Sequence, residues 1–352
     1  MASHDLTVMG GGIFGLSCAW EAARRGARVR LLERDRIGAG SSGGLVGALA
    51  PHVPENWNDK KQFQLESLLM AEGWWAAIAQ AGGIDPGYLR SGRLQPIPDD
   101  RALANARARI AESRTLWQGR ADWRVIPATG GAWEPHSPMG FLIHDTLTAR
   151  LSPRRAVAAL VAALRATGAE IVEAATDAPQ GPTLWATGHP GLLALNDHFA
   201  QPVGAGVKGQ AILLRHDARD LPQLFADALH IVPHADGTTA IGSTSENAWS
   251  DPAATDAQLD DILARARAAL PVLSHAAVLD RWAGIRPRAR TRAPMLGAWP
   301  GRPGHFIANG GFKIGFGMAP KVATTMADLI LEGRDAIPPG FRVEANLQAR
   351  GR

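Results

Sequence analysis

Apolar positions along the chain predict a succession of short buried strands separated by helices. Residues 6–9 are an apolar run of strand length, and residues 13–25 are Ala-rich with helical spacing that ends at Gly26. Residues 27–33 alternate Val29, Leu31 and Leu32 with arginines and predict a second strand. Residues 36–47 are a glycine and serine loop. Helical periods follow over 61–81, 99–116 and 154–167, the last opened by Ser152-Pro153, which predicts an N-cap followed by proline. Residues 183–186 form a short apolar strand running into Thr187-Gly188. Strand signals dominate from 203 to 244, with a turn at Asp236-Gly237. A helix over 256–270, strands over 278–282 and 305–308, a loop over 309–317 and a helix over 318–332 complete the pattern.

Parallel strand-helix-strand signals lie at both ends and in the middle, with antiparallel signals between them. The expected fold is α/β, with a Rossmann-like dinucleotide-binding domain interrupted by a mixed-sheet α+β domain. The expected boundaries are 1–55, 140–200 and 285–352 for the first unit, and 56–139 and 201–284 for the second. At 352 residues with 46% hydrophobic content, the chain can bury two cores.

Charge and cysteine content narrow the function classes. Lys and Arg total 37 against 33 Asp and Glu, a net charge of +4, and the signs are interspersed, which argues against a nucleic-acid partner. No apolar run reaches membrane-spanning length, and the glycines after Met9 break any signal-like stretch, so a cytoplasmic protein is expected. A single cysteine, Cys18, excludes a disulfide within the chain and a thiolate metal cage. Motifs for zinc proteases, serine hydrolases and P-loop enzymes are absent, and no metal is expected.

Gly10, Gly12 and Gly15, with Ile13 and Phe14 between the last two, fit G-x-G-x-x-G after a strand and at the start of a helix. The glycines permit the tight turn, the approach of backbone N–H groups to a pyrophosphate and close helix–strand packing. Glu33 ends the next strand, where a carboxylate accepts ribose hydroxyls and repels a 2′-phosphate; Arg34 follows it. These features predict a dinucleotide and leave FAD and NAD open.

Several ordered blocks settle that choice by resemblance. Gly38 to Ser42, with Gly40, Ser41 and Ser42, continues to Gly47-Ala48-Leu49-Ala50-Pro51. Further on come Trp185-Ala186-Thr187-Gly188, Val207-Lys208-Gly209-Gln210, Ile231-Val232-Pro233, Ile241 to Thr244, and Trp282-Ala283-Gly284-Ile285-Arg286-Pro287. In this order they resemble the D-amino-acid oxidase superfamily of flavoenzymes, in particular its glycine oxidase and sarcosine oxidase branch. The resemblance implies FAD held by the glycine motif, Glu33, the 40–49 loop, Thr187-Gly188 and the segment Gly311-Phe312-Lys313-Ile314-Gly315. No cysteine occurs over 288–298, where sarcosine oxidases tether their flavin, so FAD is expected to bind without a covalent bond.

The resemblance also implies that Arg286 and Lys313 hold a substrate carboxylate. A planar guanidinium matches two carboxylate oxygens, and Lys313 is one of only five lysines. His230 stands where glycine-oxidase relatives have a tyrosine, and an imidazole there would hydrogen-bond a substrate or take its ammonium proton. The implied reaction moves hydride from the carbon beside a small amino acid's or N-alkyl amino acid's amine to the flavin. The imine hydrolyses, and oxygen or another acceptor takes the electrons. Two alternatives share the cofactor: an FAD-dependent tRNA wobble-uridine side-chain oxidoreductase, and a non-catalytic FAD subunit of a larger dehydrogenase. The oligomeric state is left open.

Overall fold

A computed structural model describes residues 4–347; residues 1–3 and 348–352, at the ends of the expected cofactor unit, lie outside it. Two large sheets organise the chain. The first has six strands in the order Met295–Ala298, His305–Asn309, Thr183–Trp185, Leu6–Met9, Val29–Leu32, Glu170–Val172. Only its Met295–Ala298 edge runs antiparallel. Val8 sits between Leu31 and Leu184, and all three are fully buried, as apolar runs in a covered parallel sheet require. Helices Ile13–Arg24, Asp59–Gly82, Pro153–Ala166 and Gly315–Glu332 meet in one core that contains Leu16, Ile78, Leu160, Val322 and Met326. Burying those five side chains stabilises the unit by about 1.5–3 kcal/mol each.

The second sheet is mixed, with eight strands in the order Val278–Ala289, Gly204–Leu214, Thr239–Gly242, Leu229–Pro233, Gln223–Ala226, Arg93–Pro96, Phe141–Asp145, Trp123–Pro127. Helix Ala257–Ala269 packs Leu259, Ile262 and Ala266 against Ile212, Ile231 and Ile241 of this sheet. The α/β fold with its mixed second sheet agrees with the expectation. Strand Phe141–Asp145, on the cofactor side of the expected boundary at 140, pairs within the eight-stranded sheet.

Several elements differ from the sequence reading. The strand expected over 278–282 runs on to Ala289, through Gly284 and Pro287. It is a sheet edge, where a proline removes no ladder bond, and the Pro287 carbonyl accepts from Phe312 N–H at 2.9 Å. Helix Gly188–Phe199 was masked by Gly188, Pro190 and Gly191, whose helix-breaking character matters least in a first turn. Ser152 takes the N-cap position before Pro153, but its side chain makes no capping bond.

Candidate active site

The turn after Leu6–Met9 is built around missing side chains. Gly10 has φ +108°, and a Cβ on it would lie 2.5 Å from the Ala186 carbonyl oxygen. On Gly15 a Cβ would come within 1.9 Å of the Gly10 oxygen, so helix Ile13–Arg24 seats directly on the turn. Gly12 differs: its hypothetical Cβ meets only the Ser42 hydroxyl, at 3.3 Å, because it faces the cleft. Glu33 accepts from Gly11 N–H at 2.7 Å and from Asp35 N–H at 2.9 Å, which fixes its carboxylate at the strand end. The Ser42 hydroxyl accepts from Ile13 N–H at 2.9 Å, so the glycine-serine loop itself caps one of the helix's free donors.

A cleft of about 920 Å³, including its part open to solvent, runs from this turn to the segment after His305–Asn309. It brings together Gly12, Ile13, Phe14, Ser41, Ser42, Gly47, Ala48, Gly188, Arg286, Gly311, Phe312, Lys313 and Gly315. Gly10 and Gly15 lie beneath the turn and Glu33 beside it. Leu49 is buried, pairing with Ala149, Ile314 packs against the core, and Gly40 is exposed. Arg34 and Thr187 line a separate hollow with Trp185 and Trp299. Trp282 and Asn309 also line the cleft. Trp282 lies against Gly44 and Gly284, whose missing side chains make room for its indole. Asn309 donates to Gly188 O at 2.9 Å and accepts from Gly310 N–H at 2.7 Å, tying the two glycine turns together. In the sequence only Gly284, two residues on, hints at room for the Trp282 indole; Gly44 reaches it through the fold.

Among the described residues, Arg286 and Lys313 are the only charged side chains that line the cleft. Strand register sets Arg286 opposite Val207, and its guanidinium lies over Gly209, where a Cβ would come within 2.0 Å of it. Its hydrogen-bond partner is the Thr244 carbonyl at 3.2 Å, and among the described residues it forms no ion pair with a carboxylate. Burial pushes its pKa down to about 10, while Glu246 pulls upward. Burial and then the Arg286 charge lower the Lys313 pKa. Arg286 therefore remains a cation at neutral pH, and both side chains present spare donors in a partly dry cleft.

His230 pairs with Phe225 and Gly242 across neighbouring strands, and its ring centroid is 4.7 Å from that of Phe225. Burial first, then the charges of Arg93 and Lys313, push its pKa down to about 3. The imidazole is therefore neutral and a weak proton acceptor near pH 7, which favours hydrogen bonding over taking an ammonium proton. His52 is held by the Gln64 side-chain oxygen, at 2.7 Å from its N–H and 2.5 Å from Nδ1. Cys18 is buried in the first helix with its thiol pKa raised by desolvation, as expected for a core residue.

His234, 3% exposed, is likewise held near pKa 4 mainly by burial. Both folded-state values lie below that of an unfolded histidine, so below about pH 6.5 the unfolded chain binds protons that the folded chain refuses. Stability from these groups is complete above that pH and falls as pH drops toward 4 and then 3. Each histidine should contribute a loss of about 2 kcal/mol by pH 5, above the range where most carboxylates titrate. Thermal melts from pH 7 to 5 should show a falling Tm, with a shallower fall in a His230→Gln, His234→Gln double variant. A flat Tm, or identical slopes, would contradict this account.

The turn, the strand-end carboxylate and the glycine-walled cleft together form a dinucleotide-cofactor site. A family model for FAD-dependent oxidoreductases, DAO, matches residues 5–329, and the chain belongs to this family. It is 28% identical over 371 residues to glycine oxidase from Pseudomonas putida, covering 96% of this chain and 97% of that protein. It is 26% identical to the bifunctional protein ThiO/ThiG of a Nostoc species, covering 94% of this chain but only 53% of that one, about half its length. The crystal structure of glycine oxidase from Geobacillus kaustophilus superposes with a TM-score of 0.82 at 22% identity, covering 97% of this chain and 99% of that chain. The family is FAD-dependent, and the turn accommodates such a cofactor, since Gly10 and Gly15 leave no room for side chains and Gly12 leaves the cleft open. No helix among the described residues is long and apolar enough to cross a membrane, and no cluster there could hold a metal ion.

Proposed function

We propose that this chain oxidises the C–N bond of a small amino acid or N-alkyl amino acid, bound through its carboxylate. The observation that carries the reading is the pair of basic side chains in the cleft, Arg286 and Lys313, with no acidic side chain among the described residues that line it. FAD supplies the hydride acceptor. The Gly10–Gly15 turn, Glu33 and the loop bearing Ser41 and Ser42 would hold the dinucleotide, with Gly311 to Gly315 beside its ring.

Arg286 and Lys313 orient the carboxylate and so aim the neighbouring C–H bond, which is catalysis by positioning. The same charges disfavour an ammonium group and favour the neutral amine, whose lone pair is needed as hydride departs. His230 lies outside the cleft lining but within reach of the Lys313 charge. Its buried Nδ1 has no hydrogen-bond partner among the described residues, so the neutral ring would offer a hydrogen bond and no charge from behind the site. The imine is released to hydrolysis, and oxygen or another acceptor closes the cycle. Similarity over 97% of the glycine oxidase relative supports this substrate class, and a single cysteine suits a cytoplasmic setting.

Anaerobic mixing with N-methylglycine and with its carboxylate-free counterpart N-methylethylamine tests the reading through bleaching of the flavin spectrum. The carboxylated amine should bleach the flavin much faster. Equal rates, or no bleaching across a panel of small amino acids, would overturn the substrate class.

A further inference from the structure

Behind Arg286, away from the cleft, lies a buried ionic cluster that the proposed reaction does not use. Lys208 and Glu246 have side chains 4% and 8% exposed, with Nζ and Oε2 3.7 Å apart. Their backbones bond reciprocally, each N–H to the other's carbonyl at 2.9 Å. Glu246 Oε1 accepts from Gln210 Nε2 at 3.1 Å and from the Thr244 hydroxyl. Gln210 also donates to Asp256 at 2.9 Å, the N-cap of helix Ala257–Ala269. The Thr244 carbonyl, in turn, accepts from Arg286. Glu246 is therefore anchored to the residue that holds the guanidinium, and its field acts on that guanidinium.

Desolvated charges interact over longer distances than exposed ones, because little water screens them. Glu246 attracts Arg286 and repels any second anion that approaches it. Lys208 offsets part of that repulsion. We infer that Glu246 and Lys208 form a charge-balancing pair that sets how tightly Arg286 binds a carboxylate. The inference rests on the proposed role of Arg286. A functional reason follows from the chemistry: oxidation at the C–N bond leaves the carboxylate on the product. Tighter carboxylate binding therefore slows product release as much as it helps capture, and an internal anion keeps that affinity moderate.

The signs make the test sharp. Glu246→Gln keeps the shape and the oxygen that accepts from Gln210 and Thr244 but removes the competing anion, so carboxylate affinity should rise. Lys208→Met leaves Glu246 uncompensated, so affinity should fall. The double variant removes both charges and should return close to wild type. The probe is methoxyacetate, which has the outline of N-methylglycine with an ether oxygen in place of the amine, and so cannot form an imine. Its Kd is measured on each holoenzyme by perturbation of the visible flavin spectrum and by calorimetry.

The expected changes are about five- to tenfold tighter in Glu246→Gln, weaker by a similar factor in Lys208→Met, and within about twofold of wild type in the double variant. Thermal melts without ligand should fall in both single variants and recover in the double, because each single change leaves a buried charge unpaired. Lys208→Gln serves if the methionine variant does not fold. Affinities that fall in both single variants, or move in neither, overturn the inference while the proposed function stands. If wild type binds methoxyacetate no better than neutral dimethoxymethane, or Arg286→Ala binds it like wild type, the carboxylate role of Arg286 and this inference fall together.

Discussion

Arg286→Ala and Lys313→Met should each lower kcat/KM for a carboxylated amine by about ten- to two-hundred-fold while flavin stays bound. The expected size follows from charge-assisted hydrogen bonds in a partly desolvated cleft, worth about 1.5–3 kcal/mol each. Both side chains have spare donors there, and the described residues provide Arg286 with no carboxylate partner. Because the two cations would share one anion, the double variant should lose less than the product of the single losses. A misplaced carboxylate also misaims the C–H bond, so kcat should fall along with the rise in KM. The check is flavin reduction by matched amines with and without the carboxylate, in both variants. Equal losses for the two amines would mean that these residues support the cofactor or the fold, and the amino-acid substrate class would go with them.

Gly15→Ala should be among the most damaging single substitutions in the chain, although it adds one methyl group. That methyl would stand 1.9 Å from the Gly10 backbone oxygen, and neither the turn nor the helix can retreat without breaking their seat on Leu6–Met9. The expected cost is about 3 kcal/mol or more, read as a lower Tm or as insoluble protein. Gly12→Val should behave differently. Its Cβ would meet only the Ser42 hydroxyl, at 3.3 Å, so the chain should fold, while the valine methyls would occupy the space where a pyrophosphate meets the backbone. It should purify folded and colourless, and added FAD should no longer raise its Tm. Acid precipitation supplies the reference, since wild type should release all its FAD into the supernatant. A yellow Gly12→Val protein, or a Gly15→Ala protein as stable as wild type, would show that the turn works otherwise.

The contrast between these two glycines shows what kind of information each level carries. The G-x-G-x-x-G spacing predicts a tight turn, a backbone approach to a phosphate and close helix packing, but not how tightly each glycine is enclosed. Their different physical jobs depend on what lies opposite: Ala186 for Gly10, the turn itself for Gly15, and open cleft for Gly12. Likewise, the short apolar runs at Leu6–Met9, Val29–Leu32 and Thr183–Trp185 were legible as buried parallel strands. Strands Arg93–Pro96, Trp123–Pro127 and Phe141–Asp145 were not, because they are short, carry prolines or charges, and gain stability only by pairing with one another and with Gln223–Ala226.

Of the site, the cations and the glycine-rich segments were readable as residue types suited to a carboxylate and a dinucleotide. Their convergence was not, because residues 12 and 313 meet only through the order of strands in a folded sheet. His230 makes the same point through electrostatics. A free imidazole titrates near neutrality, and in sequence it is a plausible proton acceptor. Burial beside Phe225, with Arg93 and Lys313 close by, holds it neutral. Local spacing encodes turns, strands and the chemical kind of each side chain, since these depend on neighbours in the chain. Which charges face one another, and how much water lies between them, depends on residues far apart in sequence and is set when the two sheets form and enclose the cleft.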